Sequence, residues 1–463
     1  MGKVLVVSPD VIPSGKGLVA GPGIRSWGLA KGLDAHGHDV TLAVPEESFI
    51  KQEIDEFEVV SWNLRNLNKL SSGNDCVVLP SGLASLSRAY ARTVSQRTPT
   101  VVDVYDPNIM EAIHIFKGNL RGFQAFSEYL NAVTVILRRG DFFICASERQ
   151  RYYYLGVLTA LGRINPLTSN ERLVELVPFG VPAEEPKHTR NVLKGSIVDA
   201  QDPIILWMGG IYPWFDAITL IRAMKLVCSD IGNAKLIVVG GIHPRLHAPA
   251  DNYYRTLREA RRSNLFNKNV FFVDWQPYDQ ISNYFLESDV AVSTHSEGLE
   301  AKFSFRTRVI QYLWGGLPVV VSEGDEMASL VSEQECGLVV PVADSAKLAT
   351  AILDLLCDGS KRRKMSSNAR RLIQERFVWE KVVTSLSNFC SNPICAGDRK
   401  QESSSTRPMF DDQVSHKNED YCASGGGLKA FLANLLMIQK EAGLQECFAA
   451  LSERIRQASR KQR

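Results

Sequence analysis

The chain has 463 residues, which exceeds the length at which one hydrophobic core usually stops growing, so we expect two domains. Hydrophobic residues make up 45% and charged residues 22%, a composition that excludes wholesale disorder. The 53 basic and 51 acidic residues nearly cancel. The resulting net charge of +2 gives no overall field for nucleic acid, and we expect no nucleic-acid partner.

The cysteines and the first residues indicate a cytoplasmic protein. The nine cysteines are dispersed without a C-x-x-C pair, which is typical of reduced thiols and not of a disulfide frame or zinc site. Met1-Gly2-Lys3 runs directly into a strand-like segment, without the longer apolar stretch and cleavage site of a signal peptide. No apolar run approaches about 18 residues, so we expect no transmembrane segment, while peripheral membrane contact stays open.

Short apolar runs alternate with helical patterns in the first half of the chain. Strands are predicted at 4–7, 40–44, 76–79, 100–104 and 142–145. A helix is predicted at 28–37, between the first two strands. This alternation is typical of a parallel sheet that is covered by helices on both faces.

The same alternation restarts after a polar, irregular segment at 184–202. Strands are predicted at 204–208, 235–239, 270–273, 289–293 and 318–321, and helices at 217–228, 305–314, 346–356 and 361–376. We therefore predict an α/β protein with two doubly wound, Rossmann-like domains, at 1–183 and 184–376. Two such halves place a ligand site in the cleft between them, beyond the carboxyl ends of their strands.

A helical appendage is predicted at the C-terminal end. Residues 396–427 are rich in Ser, Asp, Lys and Asn and predict a flexible linker. Residues 428–463 regain helical spacing, at Leu428, Phe431, Leu432, Leu435 and Leu436. The basic residues at its end are typical of a solvated helix terminus, and a helix that binds a partner or a membrane surface is the alternative.

Residues after two predicted strands of the first domain are candidates for the site. Gly21, Gly23 and Arg25 precede the first helix, where glycines let backbone N–H groups approach an anion and Arg25 adds a charged fork. The alternative is a turn that needs glycine geometry. Asp103 and Asp106 end a strand, and they would orient sugar hydroxyls or accept a proton, or else cap a turn.

Two glycine pairs mark strand ends in the second domain. Gly209 and Gly210 follow its first strand, where glycine lets a phosphate approach the backbone. Asp216, before the next helix, would contribute to the site or simply cap that helix. The second pair, Gly240 and Gly241, follows the second strand, and in the same loop His243 and Arg245 are candidates for phosphate or base contacts, although a lone histidine is more often structural.

The densest group of polar residues follows the strand that ends at 293. Ser304 is predicted to cap a helix whose free N–H groups point into the cleft, with Phe305 beside it. Arg306 and Arg308 add positive charge, which predicts a site for a diphosphate leaving group. Further along the same helix, Gln311 is placed to hydrogen-bond vicinal hydroxyls.

Two glutamates precede this predicted helix. Glu297 and Glu300 would bind sugar hydroxyls, or they would pair with the arginines and only hold the loop. Both interpretations stay open at the level of sequence.

Residues 1 to about 395 resemble a retaining glycosyltransferase of the GT-B fold, in the broad family 4 group. The resemblance lies in the order of several motifs, namely the Gly-rich first loop, 177–181, Gly209-Gly210, Glu297-Gly298, 316–320 and 377–379. It implies that the first domain binds the acceptor, that the second binds a nucleotide-sugar donor, and that residues 377–395 return as a helix to the first domain.

The chain departs from the family pattern at the donor site. Gln311 stands where the family has a ribose-binding Glu, and Gly210 and Phe215 stand where it has an Arg and Lys diphosphate clamp. We expect another cation to compensate. The candidates are Arg245, Arg306 and Arg308.

The resemblance implies transfer of a hexose-type sugar from a nucleotide-diphosphate sugar, with retention at the anomeric carbon, to an unidentified glycan, lipid-linked or small-molecule acceptor. No metal or other cofactor is expected. Two alternatives remain, a catalytically degenerate scaffold that binds a nucleotide sugar or a protein partner, and a nucleotide-sugar epimerase. The predicted catalytic residues are Asp103, Asp106, Glu297, Glu300 and Arg306.

Overall fold

The computed structural model describes residues 1–13, 17–49, 57–116, 118–245 and 249–402. These residues form two parallel β-sheets with flanking helices, which confirms the predicted α/β fold. The predicted tail at 428–463 and the linker residues from 403 onwards lie outside the described residues.

The sheet of the first half has seven strands among the described residues, in the spatial order β3-β2-β1-β4-β5-β6-β7. They are β1 (Lys3–Val7), β2 (Asp39–Pro45), β3 (Glu58–Trp62), β4 (Cys76–Pro80), β5 (Thr100–Asp103), β6 (Phe142–Cys145) and β7 (Val174–Leu176). The central strand β1 is buried from Val4 to Val7. Its continuous apolar run follows from its position, since helices cover both faces of a parallel sheet.

The helices of the first half lie between these strands. They are α1 (Gly21–Ala35), α2 (Leu67–Ser72), α3 (Ala84–Thr93), α4 (Asn108–Ile115), α5 (Leu120–Arg139) and α6 (Glu148–Ala160). Helix α1 begins seven residues before the predicted start at 28, so the Gly-rich segment is its first turn and not a preceding loop. The proline in that first turn is compatible with a helix start, because the first N–H groups of a helix have no intrahelical partner.

The second sheet has six strands in the described part of the chain, in the order β10-β9-β8-β11-β12-β13. They are β8 (Ile204–Gly210), β9 (Lys235–Gly241), β10 (Val270–Val273), β11 (Val290–Ser293), β12 (Val319–Ser322) and β13 (Gly337–Val340). The helices of this half are α7 (Ala217–Asp230), α8 (Asp251–Arg262), α9 (Ile281–Leu286), α10 (Leu299–Phe303), α11 (Thr307–Trp314), α12 (Glu326–Glu333), α13 (Ser345–Cys357) and α14 (Gly359–Arg376).

Three strands are absent from the sequence prediction, namely β3, β7 and β13. Each is an edge strand, and each is only partly buried. Of these, β3 and β7 each contain a Glu that interrupts the apolar run by which the central strands are recognised, whereas the edge strand β10 keeps such a run and was predicted.

The chain then returns to the first half through α15 (Trp379–Val382), α16 (Thr384–Ser391) and α17 (Gly397–Glu402). The Trp379 ring packs on α1, where a Cβ at Gly28 would lie 1.9 Å from that ring. Helix α17 occupies the start of the segment predicted as a flexible linker at 396–427, and that part of the prediction is wrong. The helix is held on the first half by Asp398, whose carboxylate lies 2.7 Å from Arg163 Nε.

Side-chain contacts join the two halves. Arg149 Nη1 on α6 donates to the Gly324 carbonyl at 2.7 Å, and its Nε lies 3.2 Å from the Glu326 carboxylate. Gln150 Nε2 donates to the Phe303 carbonyl at 2.9 Å. These contacts bring α6 of the first half against α10 and α12 of the second.

Candidate active site

The first turns of two helices meet between the halves. A Cβ at Gly21, the first residue of α1, would lie 3.9 Å from Thr307 Oγ1, at the first residue of α11, and 3.7 Å from the Tyr105 hydroxyl. Neither helix has a side chain that caps its N-terminus. Free N–H groups and the positive end of the helix dipole therefore face the space between the halves, an arrangement that favours an anion.

Arg25 and Asp103, predicted as separate site residues, form an ion pair with each other. Arg25 Nε and Nη2 lie 2.5 and 2.9 Å from the two Asp103 oxygens, and its guanidinium also donates to the carbonyls of Val177 and Pro178. Arg25 is 1% exposed. The prediction of Arg25 as a charged fork for a bound anion is therefore wrong, because its donors are taken by the protein itself.

Gly23 is needed for packing. A Cβ at this position would lie 1.8 Å from the Val11 carbonyl oxygen, so no larger residue fits under the β1–α1 loop. Position 23 therefore requires glycine for steric reasons, whether or not a ligand binds nearby.

Arg306 lies in a buried network of charges. Its Nη1 and Nη2 donate to the two Glu300 oxygens at 2.7 and 2.8 Å, and its Nε lies 3.4 Å from Asp325 Oδ2. His295 Nε2 lies 3.4 Å from the same Asp325 oxygen. Of the two interpretations of Glu300, the structure shows the one in which it pairs with an arginine. The positive charge of Arg306 is thus compensated by two carboxylates, Glu300 and Asp325, and is not available to a diphosphate.

The predicted helix cap at Ser304 is wrong. Ser304 ends α10, and its Oγ donates to Glu300 Oε1 at 2.5 Å, while α11 begins only at Thr307 with Arg306 as its N-cap. The buried carboxylate of Glu300 competes successfully for the hydroxyl. Phe305 is likewise turned inward, with its ring 6.2 Å from that of Phe377, so its side chain does not line the site.

Arg308, two residues after Arg306, has a different environment. Its side chain crosses to the end of β8, where Nη2 donates to the Gly210 carbonyl at 2.7 Å. The guanidinium stacks 3.9 Å from the centre of the Phe215 ring and 4.7 Å from that of Trp207. Arg308 is 8% exposed, and its Nη1 has no hydrogen-bond partner among the described residues.

The electrostatics of Arg308 reflect this lack of an anion. Burial lowers the pKa of its guanidinium to about 10, and the nearby Arg306 charge acts in the same direction. A buried charge is costly unless it is paired, and a buried donor normally has an acceptor. The environment of Arg308 thus favours an anion.

The glycines at the end of β8 make room for this arginine. Gly209 has φ 114°, which favours glycine, and a Cβ there would lie 3.3 Å from Arg308 Nη2. A Cβ at Gly210 would lie 2.3 Å from the Tyr212 ring. A side chain at either position would disturb the packing around the guanidinium.

Arg245 contacts the first half of the chain. Its Nε lies 2.7 Å from Asp10 Oδ1, and its Nη1 donates to the Leu18 carbonyl at 2.7 Å. His243 Nε2 lies 3.7 Å from Asp10 Oδ2. In this structure Arg245 holds the β1–α1 loop against the second half, so its predicted donor contact is taken by Asp10.

Two further carboxylates lie where the halves meet. Burial raises the pKa of Asp106 to about 7, and the Asp103 and Glu300 charges act in the same direction. Burial, followed by the charges of Asp106 and Glu300, raises the pKa of Glu111 well above its usual range. Glu111 was missed by the sequence analysis, although an acidic residue in the first turn of the helix that follows a cleft-facing strand was a usable signal.

The remaining predicted residues have simpler positions. Glu297 is exposed, just before α10. Gln311 is half-buried on α11, one helical turn after Thr307, which meets Gly21. Asp216 caps α7 by accepting from the Thr219 N–H at 3.0 Å, so the capping interpretation holds for it.

Neither a membrane span nor a metal cluster is found within the described ranges. No helix there is long and apolar enough to cross a bilayer. Likewise, no group of three or more His, Cys, Asp or Glu side chains in that part of the chain is placed to hold a metal ion.

The two-sheet fold that surrounds this site is the GT-B fold. Residues 191–372, in the second half of the chain, match the family model described as "Glycosyl transferases group 1". The resemblance seen in the sequence is thereby confirmed at the level of the group.

One curated relative supports the same assignment. The chain is 24% identical over 174 residues to the capsular polysaccharide biosynthesis glycosyltransferase CapM of Staphylococcus aureus, an alignment that covers 37% of this chain and 42% of CapM. The match thus spans less than half of that relative's length.

Solved structures share the fold at low identity. Sucrose-phosphate synthase from Thermosynechococcus elongatus is 18% identical, with a TM-score of 0.59, over 88% of this chain and 100% of that chain. Anabaena HepE in complex with UDP-glucose is 16% identical, with a TM-score of 0.58, over 84% of this chain and 100% of that chain. In both cases the similarity covers most of this chain and the whole of the other chain.

Proposed function

We propose that the protein is a glycosyltransferase that moves a sugar from a nucleotide-diphosphate sugar to an acceptor, with retention at the anomeric carbon. The observation that carries the proposal is the buried Arg308 guanidinium, with its unsatisfied Nη1, beside Gly209 and Gly210. The group 1 match of residues 191–372 and the UDP-glucose complex of a structure with the same fold support a nucleotide sugar as the donor.

Arg308 takes the place of the missing diphosphate clamp in this proposal. The clamp positions of the family are occupied by Gly210 and Phe215, and the Arg308 guanidinium contacts both of these residues. A guanidinium that reaches the same place from α11 supplies the charge that the β8 loop lacks. Together with the uncapped first turns of α1 and α11, it stabilises the negative charge that develops on the departing diphosphate.

In this proposal the acceptor binds to the carboxylates of Asp106 and Glu111, which lie where the two halves of the chain meet. Asp106 has a pKa of about 7, close to the value at which a carboxylate works best as a proton acceptor near neutral pH. Glu111 lies beside it on the first half, the side that the family assigns to the acceptor. These two groups replace Asp103 and Glu300, whose oxygens are held by Arg25 and Arg306.

Direct assay separates this activity from binding alone. Nucleoside diphosphates should raise the melting temperature more than the corresponding nucleosides, because a ligand stabilises the state that binds it. Turnover of a panel of nucleotide sugars with mixed acceptors, followed by NMR of the anomeric proton in the product, tests transfer and retention. Diphosphates that give no more stabilisation than nucleosides would contradict the role of Arg308.

A catalytically degenerate scaffold remains the second candidate. Three of the predicted catalytic residues, Asp103, Glu300 and Arg306, lie in ion pairs and are not available to a substrate. Stabilisation by diphosphates together with the absence of transfer and donor hydrolysis across the whole panel would favour this candidate.

A further inference from the structure

Two buried guanidinium groups share the ring of one phenylalanine. The guanidinium carbon of Arg308 lies 3.9 Å from the centre of the Phe215 ring, and that of Arg306 lies 5.0 Å from it. Phe215 and both arginines are buried. The attraction between a cation and the face of an aromatic ring is stronger where water is excluded than at an exposed site. The Phe215 ring therefore stabilises two like charges that repel each other.

Contacts within the protein fix the Phe215 ring. The Phe215 carbonyl accepts from Asn252 Nδ2 at 2.7 Å, and its N–H donates to the Tyr212 carbonyl at 3.0 Å. Its backbone also forms a β-bridge with His295. The ring meets that of Trp207 edge to face, with the centroids 5.6 Å apart. A ring held in this way can position a side chain that stacks on it.

Arg308 depends on such stacking more than Arg306 does. Two oxygens of Glu300 hold the Arg306 guanidinium at 2.7 and 2.8 Å. Among the described residues, the Arg308 guanidinium has one hydrogen-bond acceptor, the Gly210 carbonyl at 2.7 Å. One hydrogen bond does not fix the orientation of a planar guanidinium, so the aromatic rings beside it decide where its unsatisfied Nη1 points.

We propose that Phe215 is a positioning residue, whose ring holds the Arg308 guanidinium in the orientation that binds the diphosphate of the donor. This inference rests on the proposed function, in which Arg308 takes the place of the missing clamp. Phe215 stands at a clamp position of the family but carries no charge, so it acts on the diphosphate only through Arg308.

Binding of inorganic pyrophosphate to the full-length protein, measured by ³¹P NMR titration, tests this role. Pyrophosphate has no base and no sugar, so the result does not depend on which nucleotide the protein uses. Phe215→Leu removes the ring but keeps an apolar side chain, and the Kd for pyrophosphate should rise by about tenfold or more. Phe215→Met, with a more flexible apolar side chain, is the second variant and should show the same loss.

A matched control removes an aromatic ring that carries a different guanidinium. The guanidinium carbon of Arg261 lies 5.1 Å from the centre of the Phe266 ring, after α8. Phe266→Leu should therefore bind pyrophosphate like the wild type. Circular dichroism checks that each variant is folded.

A double-mutant cycle distinguishes positioning from structural damage. Arg308→Ala should weaken pyrophosphate binding at least as much as Phe215→Leu does. Addition of Phe215→Leu to Arg308→Ala should then change the Kd by no more than about twofold, because the ring has no guanidinium left to position. Damage to the fold would instead add its own loss of binding in the double variant.

Three results would overturn the role of Phe215. Pyrophosphate binding that is lost in Arg308→Ala but unchanged in Phe215→Leu overturns this role and leaves the proposed function intact. Independent, additive losses in the double variant do the same. A wild-type protein that does not bind pyrophosphate overturns the role of Arg308 in the proposed function, and with it that of Phe215.

Discussion

Arg306 and Arg308 lie two residues apart and are both buried, but their surroundings are opposite. Arg306 has the two oxygens of Glu300 within 2.8 Å and Asp325 at 3.4 Å. Arg308 has one backbone carbonyl and two aromatic rings. A buried cation with carboxylate partners holds the protein together, whereas one without them provides a place for an anion. In our proposal the same residue type thus has a structural role at one position and a binding role at the other.

The largest expected effect concerns stability at Arg306. Arg306→Ala leaves Glu300 and Asp325 buried without their counter-charge, and removal of one partner of a buried pair costs about 3–5 kcal/mol. Urea unfolding monitored by circular dichroism measures this loss. The double variant Arg306→Met with Glu300→Gln should recover part of it, because one of the two uncompensated charges is gone. An unchanged unfolding free energy in Arg306→Ala would show that the network is not structural.

Arg308 should instead affect turnover. Arg308→Ala is expected to lower kcat by about 10²–10³, or about 2.7–4 kcal/mol, the usual loss when one preorganised donor to a developing anion is removed. The measurement is donor turnover under saturating nucleotide sugar. Arg308→Lys keeps the charge and should retain part of the activity. Wild-type turnover in the alanine variant would refute the difference drawn between the two arginines.

The pH dependence of stability tests the burial of Asp106 where the two halves meet. Burial raises the pKa of Asp106 to about 7, so its carboxyl loses its proton in the folded state between pH 6 and 8. The unfolded carboxyl, with a pKa of about 3.9, is ionised throughout this range. The unfolded state therefore binds fewer protons, and stability falls as the pH rises.

The expected size of this fall is about 1.4 kcal/mol between pH 6 and 8, for one group. Glu111, whose pKa is also raised, acts in the same direction. Asp106→Asn has no such titration, so its melting temperature should depend less steeply on pH in this range. If the melting temperatures of the variant and the wild type depended on pH in the same way, the Asp106 carboxyl would be exposed to water and not buried.

The smallest expected effect is that of metal removal. We expect turnover to be unchanged by EDTA, because Arg308 and the helix N-termini supply the positive charge in our proposal. The comparison is turnover before and after dialysis against EDTA, and again after Mg²⁺ or Mn²⁺ is added back. A loss of turnover that a divalent ion restores would show that Arg308 does not suffice.

Sequence patterns predicted the fold better than the site. The central strands were predicted because their apolar runs follow from burial on both faces, while the edge strands β3 and β7 lack that pattern. The cluster of charges around 295–318 was also visible in the sequence. The roles of the residues in this cluster were not visible. Whether Ser304 caps a helix or donates to Glu300 depends on which acceptor lies closest in space. Whether Glu300 binds a substrate or pairs with Arg306 depends likewise on its neighbours in space.

The sequence by itself determined two successive parallel-sheet halves and the segments that lie at the ends of their strands, because burial and turn chemistry are local and periodic. Only the tertiary structure decided which charges neutralise each other. Arg25 is joined to Asp103 across 78 positions, and Arg308 reaches Gly210 across 98. Whether a charged side chain is free to bind a ligand depends on such distant neighbours, and the order of residues along the chain does not encode them locally.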